Sequence, residues 1–434
     1  MARRTLPGGP EFRRLVAAQI PADFADWLDF VAVGALLAFV WEAPPIAYAW
    51  LGVAMGLPGA TIGLLAGALI DRWPLRRTLV GANLGRAAGT ALLIVAPGWE
   101  WLIAALVLKF TADAFFTPAK QTALRRLVPE DEIVAANALS RAVNQASKIA
   151  GPALGGALLV LLAPQQVFAL NAAISILAAL LLLRLPPLPR LPAEGGHPST
   201  ILADLRAGLA FAGRTPLVRG CLLLIGCGFF GMFVYDTFWP PLVRELTLEA
   251  TDLGWFLASV GLGGVLASGA MIRAPGGAAA LRLAGATLIG NAVLIGALGL
   301  AAGAGVAVPR PLVLALAFLL GASSSVALVA LPGVLQQATP PAMMGRTAAL
   351  MEAVAALAVG VAPFTGALLA ETLGIGAPFV AGAALAVGVG CGAIVLSRRA
   401  RAAALAGTSL DTDPPSTHET ARPQARPYEA ARKE

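Results

Sequence analysis

Residues 99–118 read WEWLIAALVLKFTADAFFTP. The run is long and apolar enough to span a bilayer as a helix, which takes roughly 20 residues. Yet it holds Lys109 and Asp113 in its interior. An unpaired charge at the centre of a membrane helix costs roughly 2.5–3.5 kcal/mol even on the lenient insertion scale. Such a helix must therefore turn its charges toward other helices and a hydrated interior. The rest of the chain has the same character: of 434 residues, 58% are apolar and 13% charged, with a mean hydropathy of +0.78. Many of the 48 glycines and 32 prolines lie inside apolar runs, as membrane helices tolerate and soluble helices mostly do not. A soluble multidomain enzyme is excluded by this composition.

Working outward, twelve segments of spanning length appear near 15–40, 47–70, 77–96, 99–118, 134–162, 165–185, 217–239, 251–272, 279–302, 311–331, 346–370 and 374–397. The Pro-rich stretch Pro186 to Pro198 separates the sixth from the seventh, and Ile201 to Phe211 has the composition of a helix lying on the membrane surface. With the amino terminus inside, the basic residues of the connecting loops fall on the cytoplasmic side, and only Arg244 and Arg310 fall outside. This asymmetry predicts a multi-pass protein of the plasma (inner) membrane with both ends cytoplasmic. The basic start through Arg14 leads into an apolar segment without a small-residue cleavage site, so no cleavable leader is expected. A shift of 211 positions lays Pro129 on Pro340, Ala138-Leu139 on Ala349-Leu350, Pro152 on Pro363 and Gly155 on Gly366. The fold expected is an all-α membrane protein of twelve transmembrane helices in two pseudo-symmetric six-helix bundles. Its parts are residues 1–185, a cytoplasmic linker over 186–214, residues 215–400, and a disordered cytoplasmic tail over 401–434.

Charges inside the spans are the candidate functional residues. The first half holds Asp23, Asp26 and Asp29 in segment one, Arg86 in segment three, Lys109 and Asp113 in segment four, and Arg141 and Lys148 in segment five. Four acids face four bases, a balance that predicts mutual pairing around a hydrated interior. Steps of three residues put Asp23, Asp26 and Asp29 on one broad helix face, and Lys109 and Asp113 stack at i, i+4. Counted from the helix ends, Asp29 and Lys109 both reach mid-bilayer, where a carboxylate beside a lysine can exchange a proton for the ion pair. Asp23 is placed near the cytoplasmic surface. In the second half Asp236 is placed toward the outer interface and Glu352 toward the cytoplasmic end.

Other chemistry is not expected. Cys221, Cys227 and Cys391 read as small buried thiols, and with His197 and His418 they make no cluster of metal-ligand spacing. No metal, cofactor, nucleophile motif or phosphate-cradling loop is expected, and the net charge of +7 reads as topology, not as nucleic-acid binding. Gly81, Gly85 and Gly89 form a small-residue stripe, and Gly151-Pro152-Ala153-Leu154-Gly155-Gly156 interrupts segment five.

Gly67-Ala68-Leu69-Ile70-Asp71-Arg72, followed by Arg76-Arg77, resembles the signature loop of the major facilitator superfamily, with Pro74 in place of the usual glycine and the basic pair one position late. The resemblance implies that Gly67, Asp71, Arg72, Arg76 and Arg77 form a cytoplasmic gate loop. Gly151, Pro152, Gly155 and Gly156 resemble the helix-five motif of antiporters, with Ser147 where another glycine is usual. Phe115-Phe116-Thr117-Pro118-Ala119-Lys120, Leu127-Val128-Pro129, Ala136-Asn137-Ala138-Leu139, Asp26-Trp27 and Leu335-Gln336-Gln337 are similar to the branch containing macrolide-efflux proteins and the enterobactin exporter. A lysophospholipid-transporter resemblance is carried by Pro118-Ala119-Lys120 and Ala82-Asn83. These resemblances imply a monomeric, proton-coupled exporter of a drug-like, siderophore or metabolite substrate, not an enzyme, with a lysophospholipid flippase as the alternative. Asp26, Asp29, Lys109, Asp113, Arg86, Arg141, Lys148 and Glu352 are then the candidates for coupling or cavity electrostatics.

Overall fold

The computed structural model describes residues 9–70, 73–187, 201–271, 276–340 and 343–408. The helices are α1 Pro10–Ala35, α2 Pro45–Ile70, α3 Leu75–Ile94, α4 Trp99–Leu127, α5 Ile133–Leu161, α6 Pro164–Leu183, α7 Ile201–Arg214, α8 Pro216–Tyr235, α9 Trp239–Glu245, α10 Ala250–Met271, α11 Gly277–Gly303, α12 Arg310–Gln337, α13 Met344–Leu373 and α14 Ala377–Thr408. A π-helical turn, Leu36–Val40, extends α1. Proline stands in the first turn of α1, α6, α8, α9 and α12, where its missing N–H has no intrahelical partner to lose. Among the described residues, nine helical segments are long and apolar enough to cross a membrane, with α8 and α9 counted as one. The other three long helices are α1, which carries Asp23, Asp26 and Asp29, α3, which carries Arg86, and α5, which carries Arg141 and Lys148.

Packing reveals the repeat more clearly than residue matches do. In the first half α1 packs on α5 and α6, α3 on α4 and α6, and α2 on α4. In the second, α8 packs on α13 and α14, α11 on α12 and α14, and α10 on α12. Each pair in one half has its counterpart in the other. Between halves, α2 lies on α13 and α5 on α10, two contacts that exchanging the halves maps onto each other. Gly155 lies against Leu28 and Val31 of α1, and its repeat mate Gly366 lies against Val234 and Phe238 near the end of α8. The architecture is two pseudo-symmetric six-helix bundles.

The apolar core is distributed unequally along the bundle axis. At the end where α1 starts and α14 finishes, each half has its own core. Phe12, Leu15, Leu79 and Leu124 build one; Val218, Leu281, Leu331 and Leu350 build the other. At the opposite end one continuous core joins Val33, Leu37 and Tyr48 to Phe238, Leu242 and Phe256. The halves are therefore fused at one end and separately cored at the other. Arg244 of α9 adds a polar tie at the joined end, donating to the Ala38 carbonyl at 2.8 Å and pairing with Glu42 at 3.6 Å.

Two boundaries differ from expectation. The helix expected as Ile201 to Phe211 runs to Arg214 and packs on α8 and α13 of the second half. Helix α14 continues to Thr408, past the boundary placed at Ala400. Asp71 and Arg72 of the loop motif, most of the Pro-rich stretch, and residues 409–434 lie outside the described residues.

Candidate functional site

The acids of α1 meet the bases of α3 and α4 inside the first half. Gly89 lets α3 approach α4 there: a methyl group on it would lie 2.8–2.9 Å from Lys109 Cβ, Cα and N. Gly85 packs on Ala112 in the same way, and Gly81 has open space around it. On the other side of α1, Asn171 of α6 donates to the Ala25 carbonyl at 2.7 Å. Gly151 abuts Trp27. Close packing on several sides leaves α1 little freedom to rotate, so its acidic face is held toward the bases.

Lys109 Nζ lies 2.7 Å from Asp29 Oδ2 and 3.8 Å from Asp26 Oδ1. Thr90 of α3 donates to the same Asp29 oxygen at 3.3 Å. Arg86 is fully buried; it pairs with Asp26, donates to the Ala22 carbonyl at 2.7 Å, and reaches Asp113 at 3.4 Å. Lys109 and Asp113 share the face of α4 that meets α1 and α3, yet they take different partners. Lys109 is drawn across to α1, and Asp113 is served by Arg86 instead, because both bases are dehydrated and each needs a carboxylate within reach. Exposure grades the lattice. The side chains of Asp29 and Lys109 are 3% and 1% exposed, whereas those of Asp26 and Asp113 are 24% and 27% exposed. Asp113 also lines an open cavity with Met55, Phe110 and Gln121. A dry ion pair is thus linked through Arg86 to carboxylates that water reaches.

Asp23 is not at a surface. It is 3% exposed, accepts from Gln19 at 2.7 Å and Asn144 at 3.4 Å, and faces Lys120 at 3.8 Å. Gln19 and Ser140 exchange further bonds of 2.8 and 2.9 Å. This network ties α1 to α4 and α5, and Gln19, Ser140 and Asn144 were not among the residues singled out from sequence. A polar residue three or four places from a buried acid was the available signal.

Three other candidates lie away from the lattice. Arg141 is exposed beside Gln121 and Arg125 in a cleft between α4 and α5. Glu352 is exposed on the face of α13 that carries Val359 and Pro363, which pack on Gly56 and Gly52 of α2. Lys148 is also exposed, its Nζ 5.9 Å from the centre of the Trp27 ring. It forms part of the wall of a cavity of about 260 Å³ whose other sides come from the second half, including Asp236, Asn291 and Ser324. Asp236 therefore belongs to an internal cavity and not to the outer interface. Asn291 is held between Ser323 and Ser324 by bonds of 3.1 and 3.2 Å. The Ser323-Ser324-Ser325 run inside an apolar segment was the overlooked sequence signal.

Of the loop and helix-five motifs, Arg76 donates to the Leu185 carbonyl at 3.0 Å, fastening the start of α3 to the end of α6. Arg77 borders a surface cleft with Trp73 and Phe115. Gly156 faces the other half, against Gly254 of α10. Cys221 is buried as expected, but Cys227 and Cys391 are exposed.

The model of the Major Facilitator Superfamily matches residues 15–293. Macrolide efflux protein A of Streptococcus pyogenes is 30% identical over 191 residues, 41% of this chain and 45% of that protein. Enterobactin exporter EntS of Shigella boydii serotype 18 is 29% identical over 309 residues, 68% and 71% of the two chains. The crystal structure of a bacterial homologue of the human lysosomal transporter Spinster, inward-facing and unoccupied, superposes with a TM-score of 0.65 at 15% identity, covering 91% of this chain and 98% of that one. Fold and sequence agree, and the chain belongs to the Major Facilitator Superfamily.

Proposed function

We propose that this membrane transporter is a proton-coupled exporter of a small molecule, working by alternating access as its halves, 1–185 and 215–400, rock about their joined end. The observation that carries the reading is the buried Asp29–Lys109 pair, linked through Asp26 and Arg86 to the wetter Asp113. Asp29 Oδ1 is buried without a hydrogen-bond partner among the described residues, which leaves it open to a proton, and a proton there would neutralise the carboxylate and release Lys109. Loading and unloading that proton would change which charges need partners, and hence which arrangement of α1, α3 and α4 is stable. Export as the direction draws on the similarity to the two efflux proteins. In this reading both termini are cytoplasmic in the inner membrane, the separately cored end opens to the cytoplasm, and the monomer is the working unit.

The test is flux in proteoliposomes with an imposed pH gradient, using a panel that includes a macrolide, a catecholate siderophore and a lysophospholipid. Gradient-driven uptake into inside-out protein, abolished by an uncoupler and by Asp29→Asn, is expected. Gradient-independent flux that Asp29→Asn leaves intact would remove the coupling role.

A further inference from the structure

The cavity of about 260 Å³ is continuous with a narrower slot inside the second half. The two share Met232, Tyr235, Asn291, Ser324 and Leu328. Beyond these the slot is apolar, walled by Leu224, Phe229, Leu288, Leu331, Ala386 and Val389. The wider part carries two charged side chains of opposite sign, Lys148 from α5 of the first half and Asp236 from between α8 and α9 of the second. Neither is in an ion pair among the described residues, in contrast to the acids and bases of the lattice in the first half. Asn291 donates to Ser324 Oγ and accepts from Ser323, which leaves the Ser324 hydroxyl hydrogen for an acceptor in the cavity.

Resting on the transport reading, we propose that this cavity is the cargo site and that it selects a zwitterionic amphiphile. The cationic group of the cargo faces Asp236, its anionic group faces Lys148 with Ser324 as a donor, and its apolar part fills the slot. A low-dielectric wall bearing two unpaired opposite charges favours a ligand that neutralises both and penalises one that neutralises a single charge. The two charges belong to different halves. Separating the halves at this level removes Lys148 from the cargo and leaves Asp236 with it, so occupancy and conformation are coupled.

Cys227 is exposed and borders the slot, which supplies a reporter independent of flux. In Cys391→Ala protein in nanodiscs, the rate of Cys227 alkylation by N-ethylmaleimide is measured with octylphosphocholine, octyltrimethylammonium, octyl phosphate or octyl glucoside, each below its micelle concentration. The zwitterion is expected to protect at a concentration lower by about tenfold or more than the other three. Asp236→Asn should move the preference toward the anion, Lys148→Gln toward the cation, and Lys148→Arg should keep the original order. Equal protection by all four probes, or an order indifferent to these substitutions, would overturn the proposal. No gradient is involved, so selective protection without flux would support the site and refute the transport reading. Cargo flux with unselective protection would do the reverse.

Discussion

Gly156 of α5 and Gly254 of α10 meet backbone to backbone across the two halves: a methyl group on Gly156 would lie 2.6 Å from the Gly254 Cα. Neither backbone is free to retreat within a packed helix. Gly156→Ala should therefore separate the halves at the joined end, at a cost of about 1–3 kcal/mol typical of overpacking. Spin labels at exposed Val160 and Trp255 are expected to move apart and the thermal midpoint to fall. An unchanged distance together with an unchanged midpoint would show that the contact does not hold the halves.

Removing one member of the dry pair should be worse than removing both. Asp29→Asn leaves Lys109 buried with only the more distant Asp26, and breaking such a pair typically costs about 3–5 kcal/mol. Asp29→Asn with Lys109→Met should recover most of the thermal stability while transport stays uncoupled from the pH gradient. Recovery of coupling in the double variant would contradict the proton role.

Arg86 touches Asp26, Asp113 and the Ala22 carbonyl at once. Lysine keeps the charge but lacks the planar fork that reaches several acceptors. Arg86→Lys should lose at least one charged hydrogen bond, worth about 1.5–3 kcal/mol, and lower the midpoint accordingly. Full stability in that variant would mean that the Asp113 contact is incidental.

Arg244 fastens α9 to the end of α1 through the Ala38 carbonyl and Glu42. Because the arginine is one-third exposed, Arg244→Gln should cost only about 0.5–1.5 kcal/mol. Its clearer signature is faster labelling of a cysteine placed at Val40, which is exposed beside it. Labelling at the parental rate would place the closure in the apolar core alone.

Glu352 and Arg141 provide the contrast. Both are exposed and neither joins the lattice. Glu352→Gln and Arg141→Gln should each change stability by no more than about 0.5 kcal/mol and leave gradient coupling intact. Loss of coupling in either would show that the proton path includes the separately cored end.

Sequence reading captured the membership of the charge lattice better than its wiring. Asp26, Asp29, Arg86, Lys109 and Asp113 stand out because charge within an apolar helix is costly wherever the helix lies. Depth in the bilayer already set Asp29 level with Lys109, 80 positions away in the chain and 2.7 Å apart in the structure, but the bridging of Asp26 and Asp113 by Arg86 was not legible, because depth and local spacing do not say which helix faces which. The Asp23 network and the Asn291–serine cluster were harder to see. Amides and hydroxyls are ordinary in a membrane helix until a neighbour is known to oppose them.

Hydropathy, loop charge and the paired Pro/Gly positions determined that this is a membrane bundle built from two related halves, because each is a property of one helix or of residues adjacent in the chain. Which acid takes which base, that Lys148 and Asp236 share a cavity, and that the halves join at one end only were decided by tertiary structure. Those features depend on helix rotation and on the approach of separate backbones, which arises only when glycines such as Gly89, Gly156 and Gly254 meet their partners.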